Sequence, residues 1–194
     1  MLIRNRFEVA QPVDKVWRFF DDVPAVAACL PGAELTEDLG DERYRGLVGI
    51  RMGPVSLRFD GLAAITERDE DARRIVVDAS GADERGRGQA AMIVTATLAR
   101  AATGTRVDVD QDLQVSGAAA QYGRGMIADV SAVLMREFAT NLQDAIARAE
   151  RGDTTAARHA AAPARGFTLG LRATLMALTR VFRRFFLPYP STPA

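Results

Sequence analysis

Along the first part of the chain, apolar and polar residues alternate in short runs broken by turn residues; further on, the period lengthens. LIRNRFEVA opens with Ile3, Phe7 and Val9 among the apolar positions of a predicted strand. PVDKVWRFFDD follows, with Pro12 suited to a helix N1 position, Asp14 to its first turn, and Trp17, Phe19 and Phe20 as its apolar members. Residues 23–29 predict a second short helix ending at Leu30-Pro31-Gly32, because a residue before proline is pushed out of the α region. RYRGLVGIRM runs up to the turn signal Gly53-Pro54, and VSLRFDGLAAITERD resumes with Val55, Leu57 and Phe59 in strict alternation. RRIVVDAS, GQAAMIVTATLAR and TRVDVDQDLQVSG continue the pattern. Met92, Val94, Ala96 and Leu98 share one face of a strand, and Val107, Val109, Leu113 and Val115 share one face of another. Short turns between one-sided strands predict an antiparallel meander with one wet face.

From Ala118 to about Arg151 the apolar residues Ile127, Val130, Leu134, Phe138 and Leu142 recur three and four apart, which predicts one long amphipathic helix ending near Gly152. A strand, two small helices, about six further strands and a long closing helix make an α+β fold, a sheet wrapped around that helix. Beyond it, GDTTAARHAAAPARG (152–166) has almost nothing to bury and reads as a linker. The chain divides into a domain at 1–151, the linker at 152–166 and a tail at 167–194.

Composition narrows the chemistry. With 48% hydrophobic and 26% charged residues, the chain is of ordinary globular type. Cys29 is the single cysteine, so an internal disulfide and a cysteine-based zinc cluster are excluded, and a small buried packing residue is favoured over a nucleophile. The single histidine, His159, falls in the linker, which leaves no Ser-His-Asp triad and no histidine metal site. The first residues lack the apolar core of a secretory signal, so a cytoplasmic protein is expected. The zero net charge hides an asymmetry: residues 1–153 hold all 25 acids and 19 bases, while 154–194 hold six arginines and no acid. The acidic runs at 37–42 and 67–71 read as solvated turns. Asp108, Asp110 and Asp112 fall on the wet face of their strand and lack the spacing of a calcium loop.

The tail GFTLGLRATLMALTRVFRRFFLPYP places Leu171, Leu175, Leu178, Val181, Phe182, Phe185 and Phe186 on one half of a helical wheel, with Arg172, Arg180, Arg183 and Arg184 on the other. Arginines interrupt it too often for a membrane span. A Leu/Phe face opposite an arginine face suits a helix lying in a membrane interface. A partner's groove and the chain's own domain remain the alternatives, and nucleic acid fits poorly because the phenylalanines would stay exposed.

Several segments carry a family resemblance: FEVAQPVDKVWRFFDDVPAVAACLPGAEL, MGPVSLRFDGLAAITERDE, GRGQAAMIVTATL, GTRVDVDQDLQVSG and AAAQYGRGMIADVSAVLMREFATNL. Over roughly residues 2–145 they resemble the carbon monoxide dehydrogenase CoxG family, within the START/SRPBCC, polyketide-cyclase-like helix-grip superfamily. The resemblance implies a seven-stranded curved sheet gripping the long helix around an apolar cavity. It also implies an accessory role, not a catalytic one, beside a molybdenum-containing carbon monoxide dehydrogenase or related hydroxylase.

Candidate ligand-binding residues follow from this frame. Val48, Phe59, Met92, Val94 and Leu113 face the helix, as do Ile127 and Val130 from the helix itself. Leu30 and Pro31 are expected to form one lip of the cavity, with Gln121, Tyr122 and Met126 opposite. Gly117, Ala118, Ala119, Ala120, Gly123 and Gly125 crowd the start of the helix, leaving either empty space beneath it or a close helix–sheet approach. The expected ligand is a lipophilic quinone, menaquinone or ubiquinone, carried by a protein held peripherally at the inner face of the cell membrane. The alternatives are a membrane tether for the dehydrogenase with no small-molecule ligand, and a cyclase-type enzyme using Tyr122 or a buried acid.

Overall fold

The computed structural model describes residues 1–52 and 55–151; the Gly53-Pro54 turn, the linker and the amphipathic tail lie outside the described residues. The elements are β1 (Leu2–Val9), α1 (Val13–Phe19), α2 (Val23–Cys29), β2 (Ala33–Gly40), β3 (Arg43–Met52), β4 (Val55–Asp69), β5 (Arg74–Asp83), β6 (Gln89–Ala101), β7 (Gly104–Val115) and α3 (Gly123–Glu150). A 3₁₀ segment, Gly117–Tyr122, links β7 to α3. The strands form an antiparallel sheet of order β1-β7-β6-β5-β4-β3-β2, seven-stranded among the described residues.

Local chemistry explains the ends of the short helices. Pro12 is the N-cap of α1, one position earlier than expected, with φ −57° and ψ 141°. Asp22 caps α2 by accepting a 3.0 Å hydrogen bond from the Ala25 amide. Leu30 leaves the helical region at ψ 119°, as the following proline requires.

Two expectations need correction. The acidic runs are mostly strand: residues 37–40 belong to β2 and 67–69 to β4, and only Asp41 and Glu42, at φ 51° and 56°, make the hairpin turn to β3. β2 is an edge strand, where charged side chains discourage pairing with other chains. Likewise, the long helix does not begin at Ala118. The chain turns as 3₁₀ to Tyr122 and re-enters at Gly123, whose φ of 72° lies in the left-handed region that glycine tolerates.

Register sorts the strands into two faces. Val107, Val109, Gln111, Leu113 and Val115 of β7 lie level with Leu98, Ala96, Val94, Met92 and Ala90 of β6. On the other side, Phe7, Asn5 and Ile3 of β1 lie level with Val107, Val109 and Gln111. These residues share the concave face, which receives α3. On the opposite face, Arg6 meets Asp108 at 2.5 Å, Arg4 meets Asp110 at 3.8 Å, and the terminal amine meets Asp112 at 3.2 Å. Burial pushes the Asp108 carboxyl up, but hydrogen bonds from Arg6 and Arg106 outweigh it and hold the group below its ordinary range.

The concave face carries two apolar clusters. The larger gathers Val9, Val13, Val16, Trp17, Leu142 and Ile146, with Cys29 and Phe138, where α1, α2 and the second half of α3 close over the sheet. Phe7 meets Phe138 edge-on, with ring centroids 5.9 Å apart. The smaller is built on Leu57 and Phe59, with Ile50, Ala90, Val115, Tyr122 and Val130 packed around them.

Candidate functional site

Between the two clusters lies a stretch of concave surface whose apolar side chains are only half covered. Val48 stands opposite the buried Phe59 in register, and Met92 stands opposite Leu113. Val48, Met92 and Leu113, with Ile127 and Leu134 from α3, are half-buried and pack into neither cluster. Side chains that face the inside of a fold and yet keep accessible surface line space rather than fill it. That apolar surface is one candidate site; a cavity of about 430 Å³ lies elsewhere, between Asn5–Glu8 of β1 and Ala132–Asp144 of α3, and shares none of these five side chains.

The structure distributes the expected site residues unevenly. Val94 and Leu30 pack against the larger cluster, while Tyr122 and Val130 pack against Leu57 and Phe59. Leu30 and Tyr122 therefore belong to different clusters, one toward each end of α3. Pro31 is half-buried, Gln121 is exposed, and Met126 keeps 46% of its surface accessible. The Leu30–Gly32 turn is tied down on both sides: the Gly49 amide donates to the Gly32 carbonyl at 2.8 Å, and Asn141 Nδ2 donates to the Cys29 carbonyl at 3.0 Å. Its apolar composition thus reflects docking onto α3 and β3. Cys29 is a packing residue; burial pushes its thiol up to about 11, far from thiolate reactivity at neutral pH.

Near the smaller cluster a charged lock fixes the β5–β6 hairpin. Asp83 is almost fully buried and accepts from Arg87 Nε at 2.8 Å and Nη2 at 2.9 Å, and from the Arg58 and Arg85 amides at 3.1 Å each. Arg87 Nη2 also donates to the Ser56 carbonyl at 2.7 Å. The Arg87 hydrogen bond, chiefly, holds the Asp83 carboxyl well below the usual range against the opposing effect of burial. A carboxylate so strongly ionised and fully bonded is suited to holding a turn, not to exchanging protons. This removes the buried acid as a ready acid–base group.

Sequence reasoning missed a polar group on the same face. Asn5 Nδ2 donates to Ser131 Oγ at 3.0 Å, and Ser131 Oγ donates to Gln111 Oε1 at 2.9 Å. Asn5 and Gln111 occupy the inward parity of β1 and β7, between apolar neighbours, and Gln111 is 8% exposed. The signal was present in the pattern: a polar residue interrupts an otherwise apolar face at position 5 and again at position 111.

At the start of α3, a Cβ on Gly123 or Gly125 would find nothing within 4 Å. Both glycines are exposed, so close helix–sheet approach does not explain them, and the space beside them is solvent, not a cavity beneath the helix. Among the described residues no helix is long and apolar enough to cross a membrane.

Comparison with known proteins agrees with this geometry. The family model for the carbon monoxide dehydrogenase protein CoxG matches residues 6–147. A search of curated proteins finds no match. Among solved structures, a conserved protein from Geobacillus kaustophilus aligns with a TM-score of 0.69 at 20% identity, covering 77% of this chain and 97% of its own. A protein from Thermus thermophilus aligns at 0.56 and 15% identity, with 77% and 99% covered. A START superfamily protein from Mycobacterium smegmatis aligns at 0.53 and 15% identity, with 76% and 98% covered. At these identities the likeness is one of fold, and the fold is the START, helix-grip arrangement.

Proposed function

We propose, from the premise that the chain belongs to the carbon monoxide dehydrogenase CoxG family, that it is an accessory protein of a molybdenum-containing carbon monoxide dehydrogenase or related hydroxylase. In this reading it holds a lipophilic quinone, menaquinone or ubiquinone, on its concave face and passes it between the membrane and the enzyme. The observation that carries the reading is the row of inward apolar side chains, Val48, Met92, Leu113, Ile127 and Leu134, left half-covered between two packed clusters. An apolar ring with a prenyl tail suits such a surface, and methionine adapts to a flexible guest. Oxidation of carbon monoxide releases electrons, and a membrane quinone is a carrier able to receive them together with protons.

The amphipathic pattern of residues 167–194 supports contact with the bilayer, its arginines toward anionic headgroups and its Leu and Phe residues toward the acyl chains. The same pattern serves a second reading, in which the protein only tethers the dehydrogenase to the membrane and carries no ligand. Deleting residues 153–194 should release the enzyme from membranes under both readings. Extraction separates them. The full-length protein, purified from membranes in mild detergent, is extracted with organic solvent and the extract is analysed by mass spectrometry. Near-stoichiometric quinone is the expected result; an extract empty of quinone, or holding phospholipid alone, replaces the carrier with the tether.

A further inference from the structure

Gln111 is the interior residue with the least obvious reason to be there. It stands on β7 between Val109 and Leu113, level with Ile3 on one side and Val94 on the other. Its Oε1 takes the Ser131 hydroxyl, and no partner for its Nε2 exists among the described residues. Yet among those residues no fully enclosed side-chain nitrogen or oxygen lacks a hydrogen bond. The amide nitrogen is therefore not enclosed: the 8% of Gln111 that remains accessible includes it. Gln111 sits on the concave face beside the Met92–Leu113 pair, so its amide belongs to the face that lines the slot and not to the convex surface. An accessible amide N–H on an otherwise apolar face is met by water in the free protein and is available to an oxygen of a bound ligand.

The three residues linked here share one property. Asn5, Ser131 and Gln111 each carry both a donor and an acceptor, and none of them ionises near neutral pH. As found, the chain runs from Asn5 Nδ2 to Ser131 Oγ to Gln111 Oε1, so Gln111 presents an N–H to the slot. Reversal uses the same heavy-atom positions. With both amides turned over and the hydroxyl rotated, Gln111 donates to Ser131, Ser131 donates to Asn5, and Gln111 presents its carbonyl oxygen instead.

We infer that Asn5, Ser131 and Gln111 form the polar anchor of the apolar slot, gripping one ring oxygen of a lipophile, and that the chain reverses to suit that oxygen. An N–H meets the carbonyl of the oxidised ligand, and a carbonyl meets the hydroxyl of the reduced one. The anchor rests on the quinone reading above and deepens it: a carrier that releases its ligand in the other redox state must hold both forms without a fixed charge favouring one of them.

The test uses the full chain and calorimetry under nitrogen with three probes: a short-tailed methyl-prenyl-naphthoquinone, its dithionite-reduced hydroquinone, and the matching prenylnaphthalene without oxygens. Gln111→Met keeps the volume and removes the amide. It is expected to weaken both oxygenated probes by about tenfold, while leaving the hydrocarbon unchanged. Gln111→Glu fixes an acceptor at the position and is expected to keep the hydroquinone while losing the quinone. Should either variant fail to fold, Ser131→Ala, which frees Gln111 from its partner, is expected to weaken both oxygenated probes relative to the hydrocarbon. Equal effects on all three probes would overturn the anchor while leaving a ligand slot in place. No binding of any probe to the wild-type protein would overturn the carrier reading itself, and the anchor with it.

Discussion

The two apolar clusters share one face of one sheet, yet they are filled very differently. Around Val9 and Leu142, both fully buried, α1, α2, the sheet and the second half of α3 all contribute side chains, and the interior closes. Around Leu57 and Phe59 only those two are buried, and their apolar neighbours remain half-exposed. The difference follows from what the chain supplies at each end. The closed end has Trp17 and Phe19 from α1, Val26 and Cys29 from α2, and the C-cap residues Phe20 and Leu30 to fill it. The other end is entered by GAAAQYGRG, which has only Tyr122 as a large apolar side chain. A packed cluster and a half-covered one are thus built at opposite ends of the same helix.

That contrast is broken most directly by truncation. Leu142→Ala removes a side chain with no exposed surface and is expected to destabilise the protein by about 3–4 kcal/mol, lowering Tm by about 10 °C. Leu113→Ala in the slot should cost under about 1 kcal/mol, because its side chain already keeps accessible surface. Urea unfolding of both variants checks the pair. Equal losses would make the slot a packed core and leave the ligand reading without its main support.

The open end is held by ionic chemistry instead of packing. Folding depresses the Asp83 pKa, so the stability it contributes is complete above the unfolded carboxyl value of 3.8 and drains away as pH falls toward the folded value. Asp83→Asn should lower Tm at pH 7 by several degrees. It should also flatten the loss of stability below about pH 4. Thermal melts across that range, compared with wild type, provide the check. A smaller acid-labile contribution of the same sign comes from Glu150, depressed chiefly by its hydrogen bond from Lys15, so the variant flattens the profile without abolishing its slope. Identical acid profiles for the two proteins would mean that the hairpin does not depend on this lock.

Alternation made most of the sheet legible in advance. Val55, Leu57 and Phe59 mark β4 so clearly that its expected range, 55–69, is the observed one. β2 resisted because its residues Glu34, Glu37, Asp38 and Leu39 lie on an exposed edge, where the apolar period fades and acids replace it. The break before α3 resisted for another reason. Helical spacing from Ile127 onward says where the helix is amphipathic but not where it starts, and the left-handed Gly123 is invisible to any count of apolar positions. Slot residues such as Val48, Met92 and Leu113 were readable as inward-facing. Whether each would be buried or left half-open depends on which helices lie over it, and that is set by tertiary packing. Gln111 and Asn5 were readable as interruptions of an apolar face, but their pairing through Ser131, 20 residues beyond Gln111 in sequence, required the docked helix.

The smallest effect sharpens the contrast at the first turn of α3. Gly123 and Gly125 both face open space, but they differ in backbone: Gly123 has φ 72° and Gly125 does not lie in the left-handed region. With ψ 160° beside that φ, Gly123 lies in a region only glycine adopts, so Gly123→Ala should cost about 2 kcal/mol from conformation alone, with no clash. Gly125→Ala should stabilise the protein by about 0.5 kcal/mol, because alanine favours the helix and its methyl meets nothing. Chemical denaturation resolves effects of this size when the two are measured side by side. Opposite signs would confirm that the open end of the helix is sparse by composition, with one glycine required by the turn and the other merely leaving room. A destabilising Gly125→Ala would instead mean that something presses against this turn.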